Sequence, residues 1–194
     1  DNILNENCLE ILLNFLLENP NCDFCYGKTL NSYEDKKLNH SYFEYFVENT
    51  NKYGKLANLL SSTPAGAFLY RREVYERIGG YTMEPNYYLA VDYEYWLRVN
   101  DNFNMMPINK NDILFYYRIH NNQLTSKNFS ELLYQTIILM IEHIKNYTID
   151  ETNLKILLDR FYELFNAIKT TDTNNKNYDV YNKLKEYIVN KFLI

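Results

Sequence analysis

The chain has 194 residues, 46% of them hydrophobic, and carries a net charge of −5. That length suits one domain or one and a half, and that apolar content supports a packed core and argues against disorder. The negative balance argues against a general nucleic-acid binder, which needs a basic face to displace counterions.

The first predicted element is a helix over 5–18. Leu9, Leu12, Leu13, Leu16 and Leu17 recur at helical spacing, Asn5 or Asn7 can cap the start, and Asn19-Pro20 stops it. A strand over 23–30 follows, with Phe24 and Tyr26 on one face. Two of the three cysteines, Cys22 and Cys25, have CxxC spacing there. A redox pair would open a helix and a zinc site would need a second ligand pair. In a strand, residues three apart point to opposite faces, so neither use is expected. The odd cysteine count, in an acidic chain without a signal segment, suggests a reducing compartment.

Residues 31–39 are polar and read as a surface loop. Residues 41–51 are aromatic but carry Glu44 and Glu48, and read as a weak helix or an ordered loop. A short helix over 55–60 leads to Pro64, which forces an extended backbone before it. Then come a small-residue strand over 65–70, a helix over 72–78 closed by Gly79-Gly80, a loop over 81–90 and a helix over 92–100. Gly66 permits close approach of backbone or ligand, and tight strand packing explains it equally well. Strands over 103–108 and 112–120 flank the polar turn 109–111. From Phe129 onward three helical stripes follow, led by Leu132, Leu154 and Tyr178, with breaks at 146–150 and 170–177. No apolar run approaches the roughly 20 residues that span a bilayer.

Asp92 falls at the N-cap or first turn of its helix. Capping alone accounts for such an Asp. The helix dipole favours its ionised form, and an ionised carboxylate at a cleft edge can take a proton from a hydroxyl. Glu94 points away from Asp92 and is spaced four residues before Arg98, which suits a structural ion pair. Trp96 shares the Asp92 face and reads as core or as a wall of the site, with core preferred. His120 ends a strand where it opens into a loop, and Arg118 shares its face. That pair suits a phosphate or a phosphate-bound metal. The abundance of tyrosine, 20 residues, fits biased codon use for most of them and sugar-stacking platforms for a few.

In order along the chain stand Ala65-Gly66-Ala67, Arg71-Arg72-Glu73, Gly79-Gly80-Tyr81, Asp92-Tyr93-Glu94-Tyr95-Trp96-Leu97-Arg98 and Tyr117-Arg118-Ile119-His120. Together they resemble the C-terminal, acceptor-side half of family 2 glycosyltransferases of GT-A fold. Val91 stands where that family has an acidic residue before the Asp. At the front, Asp1-Asn2-Ile3-Leu4 resembles the segment after the family's DxD metal motif. The resemblance covers roughly residues 1–126.

The resemblance implies an α/β chain. Residues 1–126 would be a partial GT-A (Rossmann-like) fold lacking its N-terminal half, and 127–194 an all-α helical extension. It implies an inverting sugar transferase in which Asp92 is the base. His120 and Arg118 would meet the donor diphosphate, and Gly66, Ala67 and Trp96 would lie on the acceptor side. Asp1 and His120 would hold a divalent metal, Mn or Mg. The implied partners are a nucleotide-sugar donor and a saccharide or lipid-linked acceptor, with no nucleic acid. The implied setting is cell-surface polysaccharide synthesis in the cytoplasm, peripheral to the inner face of the membrane. Without its nucleotide-binding half the chain alone is expected to be inactive. The rival expectation is a non-catalytic interaction module derived from such an enzyme.

Overall fold

The structure, a computed structural model, describes residues 2–33, 38–39, 48, 50–61, 66–108, 112–120, 122–171, 182, 186 and 189–190. In chain order the elements are β1 (Ile3–Leu4), α1 (Cys8–Glu18), β2 (Phe24–Tyr26), β3 (Lys28–Tyr33), β4 (Leu38–Asn39), α2 (Leu56–Leu60), β5 (Phe68–Tyr70), α3 (Arg72–Ile78), α4 (Val91–Asn102), β6 (Met105–Pro107), β7 (Ile113–Ile119), α5 (Leu124–Lys127), α6 (Phe129–His143) and α7 (Glu151–Thr171). The chain is mixed α/β and divides into two compact units, Asp1–Lys127 and Asn128–Ile194.

The first unit holds two sheets, ordered β5-β2-β6 and β1-β7-β3-β4. The single strand expected over 23–30 is two strands, one in each sheet, separated by Gly27. β2 runs parallel to β6 and β3 parallel to β7, so both chain segments cross from one sheet to the other. Gly27 lies between the paired positions Tyr26↔Pro107 and Lys28↔Ile113. A Cβ on Gly27 would run into the Leu114 side chain, so the crossing needs glycine. β3 continues to Tyr33, into the stretch expected as loop. Its parallel partner β7 and antiparallel partner β4 supply backbone bonds there that the polar sequence does not advertise.

The three-stranded sheet is covered on both faces. Phe24, Tyr26 and Met105 pack against Val74 of α3 and Tyr95, Trp96 and Val99 of α4. Cys25, Leu69 and Met106 turn the other way, toward Cys8, Leu12 and Leu16 of α1. The period of two along β2 thus feeds two separate cores, a helix–sheet–helix stack. Phe68 and Tyr70 of β5 stack with Phe24 at 5.3 and 5.7 Å between ring centroids. Cys22 precedes β2 and lies in the α1-side cluster with Cys25, so the opposite-face expectation for this pair is corrected. Both thiols are free and buried.

α1 begins at Cys8, three residues later than expected, because Asn5 is committed to β7. Its backbone N donates to Leu114 O and its Nδ2 to Ile113 O at 3.1 Å. At the other end, Arg71 ties the helix to the sheet. Its Nη2 donates to Leu16 O at 2.7 Å and its Nε to Cys22 O at 2.8 Å, which satisfies carbonyls that a helix C-terminus leaves open. α2 is pinned to α4 by polar bonds inside the core. Asn58 Nδ2 donates to Asn100 Oδ1 at 2.7 Å, and the Tyr93 hydroxyl donates to Leu59 O at 2.8 Å.

The second unit contains α6 and α7. Leu133, Ile137, Met140 and Ile144 are buried, as are Leu157, Phe161, Leu164, Phe165 and Ile168, so the two expected stripes are the packed faces. The Asp150 carboxylate accepts from Asn153 N at 2.8 Å and caps α7. Of the third expected helix, 178–192, positions 182, 186, 189 and 190 are described and helical; the rest lies outside the described residues. So do 41–47 of the expected weak helix, 62–65 before β5 and the turn 109–111. Among the described residues, no helix is long and apolar enough to cross a membrane.

Candidate functional site

α4 places the candidate base. Its N-cap is Ala90 and its first residue Val91, so Asp92 sits in the first turn and is not the cap. The Asp92 carboxylate accepts from Tyr93 N at 2.7 Å. The sequence favoured an ionised Asp92 held down by the helix dipole. The structure reverses that direction: desolvation by surrounding protein raises its pKa above the ordinary value, against the backbone donors that lower it. Yet the side chain is exposed to solvent. The residue as a whole is exposed while its carboxyl oxygens are desolvated by nearby protein atoms, so both apply at Asp92.

Only residues 103 and 104 join α4 to β6, so the helix must double back over the sheet. Its N-terminus therefore returns toward the end where parallel β2 and β6 finish. Ligands of open α/β sheets gather at the carboxyl ends of such strands.

An aromatic cluster stands near Asp92. Tyr95 follows it by three residues and shares its helix face. The Tyr81 ring meets the Tyr95 ring edge-on at 5.1 Å, and Tyr70 lies against Tyr95 at 6.1 Å. Burial, the Asp92 charge and Tyr70 together push the Tyr81 hydroxyl pKa up. Tyr81 is still 50% exposed.

Beside this cluster stands the pair formed by Glu94 and Arg98. Glu94 is buried, and both of its oxygens accept from Arg98, Oε2 from Nη2 at 2.9 Å. The remaining Arg98 donors reach Ile78 O and, at 2.7 Å, Gly80 O, while its guanidinium lies 5.3 Å over the Tyr95 ring. The expected ion pair is present. Its grip on the Gly79-Gly80 turn joins residues 18 and 20 positions apart, which helical spacing cannot reveal.

The other sequence candidates separate. Trp96 is 2% exposed and belongs to the core between α4 and the sheet, the preferred of its two expected roles. A Cβ on Gly66 would run into the Phe115 ring, and Ala67 is buried in the cluster that holds Phe115. Packing against β7 thus accounts for both small residues. Arg118 is exposed, and its backbone N donates to Asn2 Oδ1.

His120 follows β7, and Gln123 folds back on it, with Gln123 Nε2 donating to Arg118 O at 2.8 Å. His120 Nδ1 accepts from Asn122 N at 3.3 Å. A ring nitrogen that accepts cannot carry the proton, so in the neutral ring the proton is on Nε2. That tautomer can donate from Nε2 to an anion. Asp1 lies outside the described residues, and among those described no three His, Cys, Asp or Glu side chains gather as a metal-holding group.

The cysteines are chemically quiet. Burial pushes the Cys22 thiol up to about 11 and the Cys25 thiol up to about 12, which keeps both protonated near neutrality. Tyr81, Tyr95 and the Gly80 end of the Arg98 clamp are the parts of this site that sequence reasoning missed. Gly79-Gly80-Tyr81 signals a turn with an aromatic tip, but nothing in it says which helix receives the ring.

The class that fold and site define is a mixed α/β unit with an exposed carboxylate in the first turn of α4, near the cluster of Tyr70, Tyr81 and Tyr95. No family model matches this chain, and no curated protein matches it.

Proposed function

We propose that the chain is the acceptor-side part of an inverting sugar transferase of GT-A fold, similar to family 2 glycosyltransferases. The observation that carries this reading is Asp92: exposed, in the first turn of α4, with its proton affinity raised by its surroundings. A carboxylate whose pKa is moved toward neutrality is a better general base than an ordinary surface Asp. Asp92 takes the proton of an acceptor hydroxyl as that oxygen attacks the anomeric carbon of a nucleotide sugar. The C–O bond forms opposite the leaving nucleoside diphosphate, and the configuration inverts. His120, protonated on Nε2, and Arg118 belong to the diphosphate side in this reading. Asp1 and a Mn or Mg ion belong with the donor.

The test uses the longest natural protein that contains this chain, with a panel of nucleotide sugars and release of nucleoside diphosphate as the readout. Asp92→Asn is expected to lower transfer about a hundred- to ten-thousand-fold while donor binding persists. Near-normal turnover by Asp92→Asn sinks the assignment.

One observation favours the rival interaction module. Leu9, Leu13 and Leu17 form an exposed stripe on α1, at 65%, 50% and 67% exposure. Absence of any transfer by that longest protein, with this stripe still required for its biological role, would select the rival.

A further inference from the structure

Two exposed groups lie near the start of α4. One is the half-exposed ring of Tyr81. The other is the exposed carboxylate of Asp92, one helical turn before the Tyr95 ring on which Tyr81 rests. Tyr81 is held twice. Its ring is set edge-on against buried Tyr95, and its backbone follows Gly80, whose carbonyl accepts from Arg98 at 2.7 Å. Arg98 is itself fixed by both oxygens of Glu94 and by the carbonyl of Ile78. A solvent-facing aromatic held from two sides, beside an exposed hydrogen-bond acceptor, is built to be covered by a ligand with one flat C–H face and a hydroxyl edge. A pyranose ring has both.

A cation would also suit an aromatic next to a carboxylate. The cation at this cluster, Arg98, is already part of it, stacked on Tyr95 and neutralised by Glu94.

We propose that Tyr81 is the acceptor platform: a pyranoside stacks its C–H face on the Tyr81 ring and directs one hydroxyl to Asp92, with Arg98 positioning Tyr81 through Gly80. The assignment of that hydroxyl as the nucleophile rests on the transferase reading; the stacking itself does not.

The two are separated by measuring binding without donor or turnover. The probe is a panel of methyl glycopyranosides of gluco, galacto, manno and N-acetylglucosamine configuration, read by saturation-transfer NMR on the whole chain. At least one glycoside is expected to show saturation of its ring C–H protons. Tyr81→Leu, which keeps an apolar group on Tyr95 but removes the flat face, is expected to weaken it about tenfold. Tyr81→Phe should retain binding, and Tyr162→Ala, at an exposed tyrosine of the helical unit, should leave it unchanged. The far-ultraviolet spectrum and Trp96 fluorescence establish that each variant is folded. No Tyr81-dependent signal from any glycoside overturns the platform, as does equal loss in Tyr162→Ala or tighter binding of a simple alkylammonium ion at the same ring. Tyr81-dependent binding combined with an Asp92→Asn protein that still transfers sugar would keep the platform and overturn only the base.

Discussion

Replacing Glu94 with Gln keeps the size and shape of the side chain and removes the countercharge of Arg98. Glu94 is 8% exposed, and both of its oxygens are occupied by one guanidinium. Removing one partner from a fully sealed pair costs about 3–5 kcal/mol, most of it the stranded charge. Here the stranded side chain, Arg98, is 24% exposed and keeps its bonds to Ile78 O and Gly80 O. Water and those carbonyls recover part of the loss, so about 2–3 kcal/mol is expected, against less than about 1 kcal/mol for an exposed pair. Arg98→Met should cost more, about 3–5 kcal/mol, because it strands the better-buried Glu94 and frees two carbonyls. The double variant should cost less than the sum of the two singles. Equilibrium urea unfolding followed by Trp96, the single tryptophan and itself part of α4, reports this region directly. A loss under about 0.5 kcal/mol from Glu94→Gln, or a coupling of zero in the double-mutant cycle, refutes the reasoning. The same numbers make Glu94→Gln a stability variant, unsuited as a silent comparison for Asp92→Asn.

Four further outcomes are expected. Asp92→Asn should match or exceed the parent in stability at neutral pH. The folded pKa of Asp92 is raised, so between its ordinary 3.8 and that raised value the native state holds a proton the unfolded chain has released. Its contribution therefore falls as pH rises through that window, and urea titrations across it should show the slope flattened in the variant; an unchanged slope would contradict the desolvation of Asp92. Gly66→Ala should lose about 1–3 kcal/mol through collision with Phe115, and Phe115→Leu should restore part of it, both read by urea unfolding. Arg71→Ala should lose about 2–3 kcal/mol in the same assay by uncovering the carbonyls of Leu16 and Cys22; a neutral result would reduce Arg71 to a surface residue. Cys22 and Cys25 should resist a thiol reagent in the folded protein at neutral pH and react on unfolding, because burial holds them as thiols; fast labelling of the native chain would refute this.

The sequence by itself determined the local elements. Leucine spacing located α1, a period of two sent Phe24 and Tyr26 to one face of β2, and the apolar stripes after Phe129 located α6 and α7. Spacing of four residues gave the pairing of Glu94 with Arg98. These signals are legible because each depends on residues within one or two turns of each other. Tertiary structure decided the rest. The division of 23–30 into strands of two sheets comes from their pairing with 105–107 and 113–119, far along the chain, and Leu114 leaves room only for glycine at 27. The strand character of polar Asn31 comes from its pairing with Tyr117 and Asn39. Asp92 lost its role as cap to Ala90, and its proton affinity rose because protein mass collects around it, a property of packing density and not of helix position. Trp96 shares a helix face with Asp92, yet depth separates them: one side chain enters the aromatic core and the other opens to water. Helical periodicity fixes direction around an axis but not distance from the surface, and that distance is set only when the sheet, α3 and the Gly80 turn close around α4.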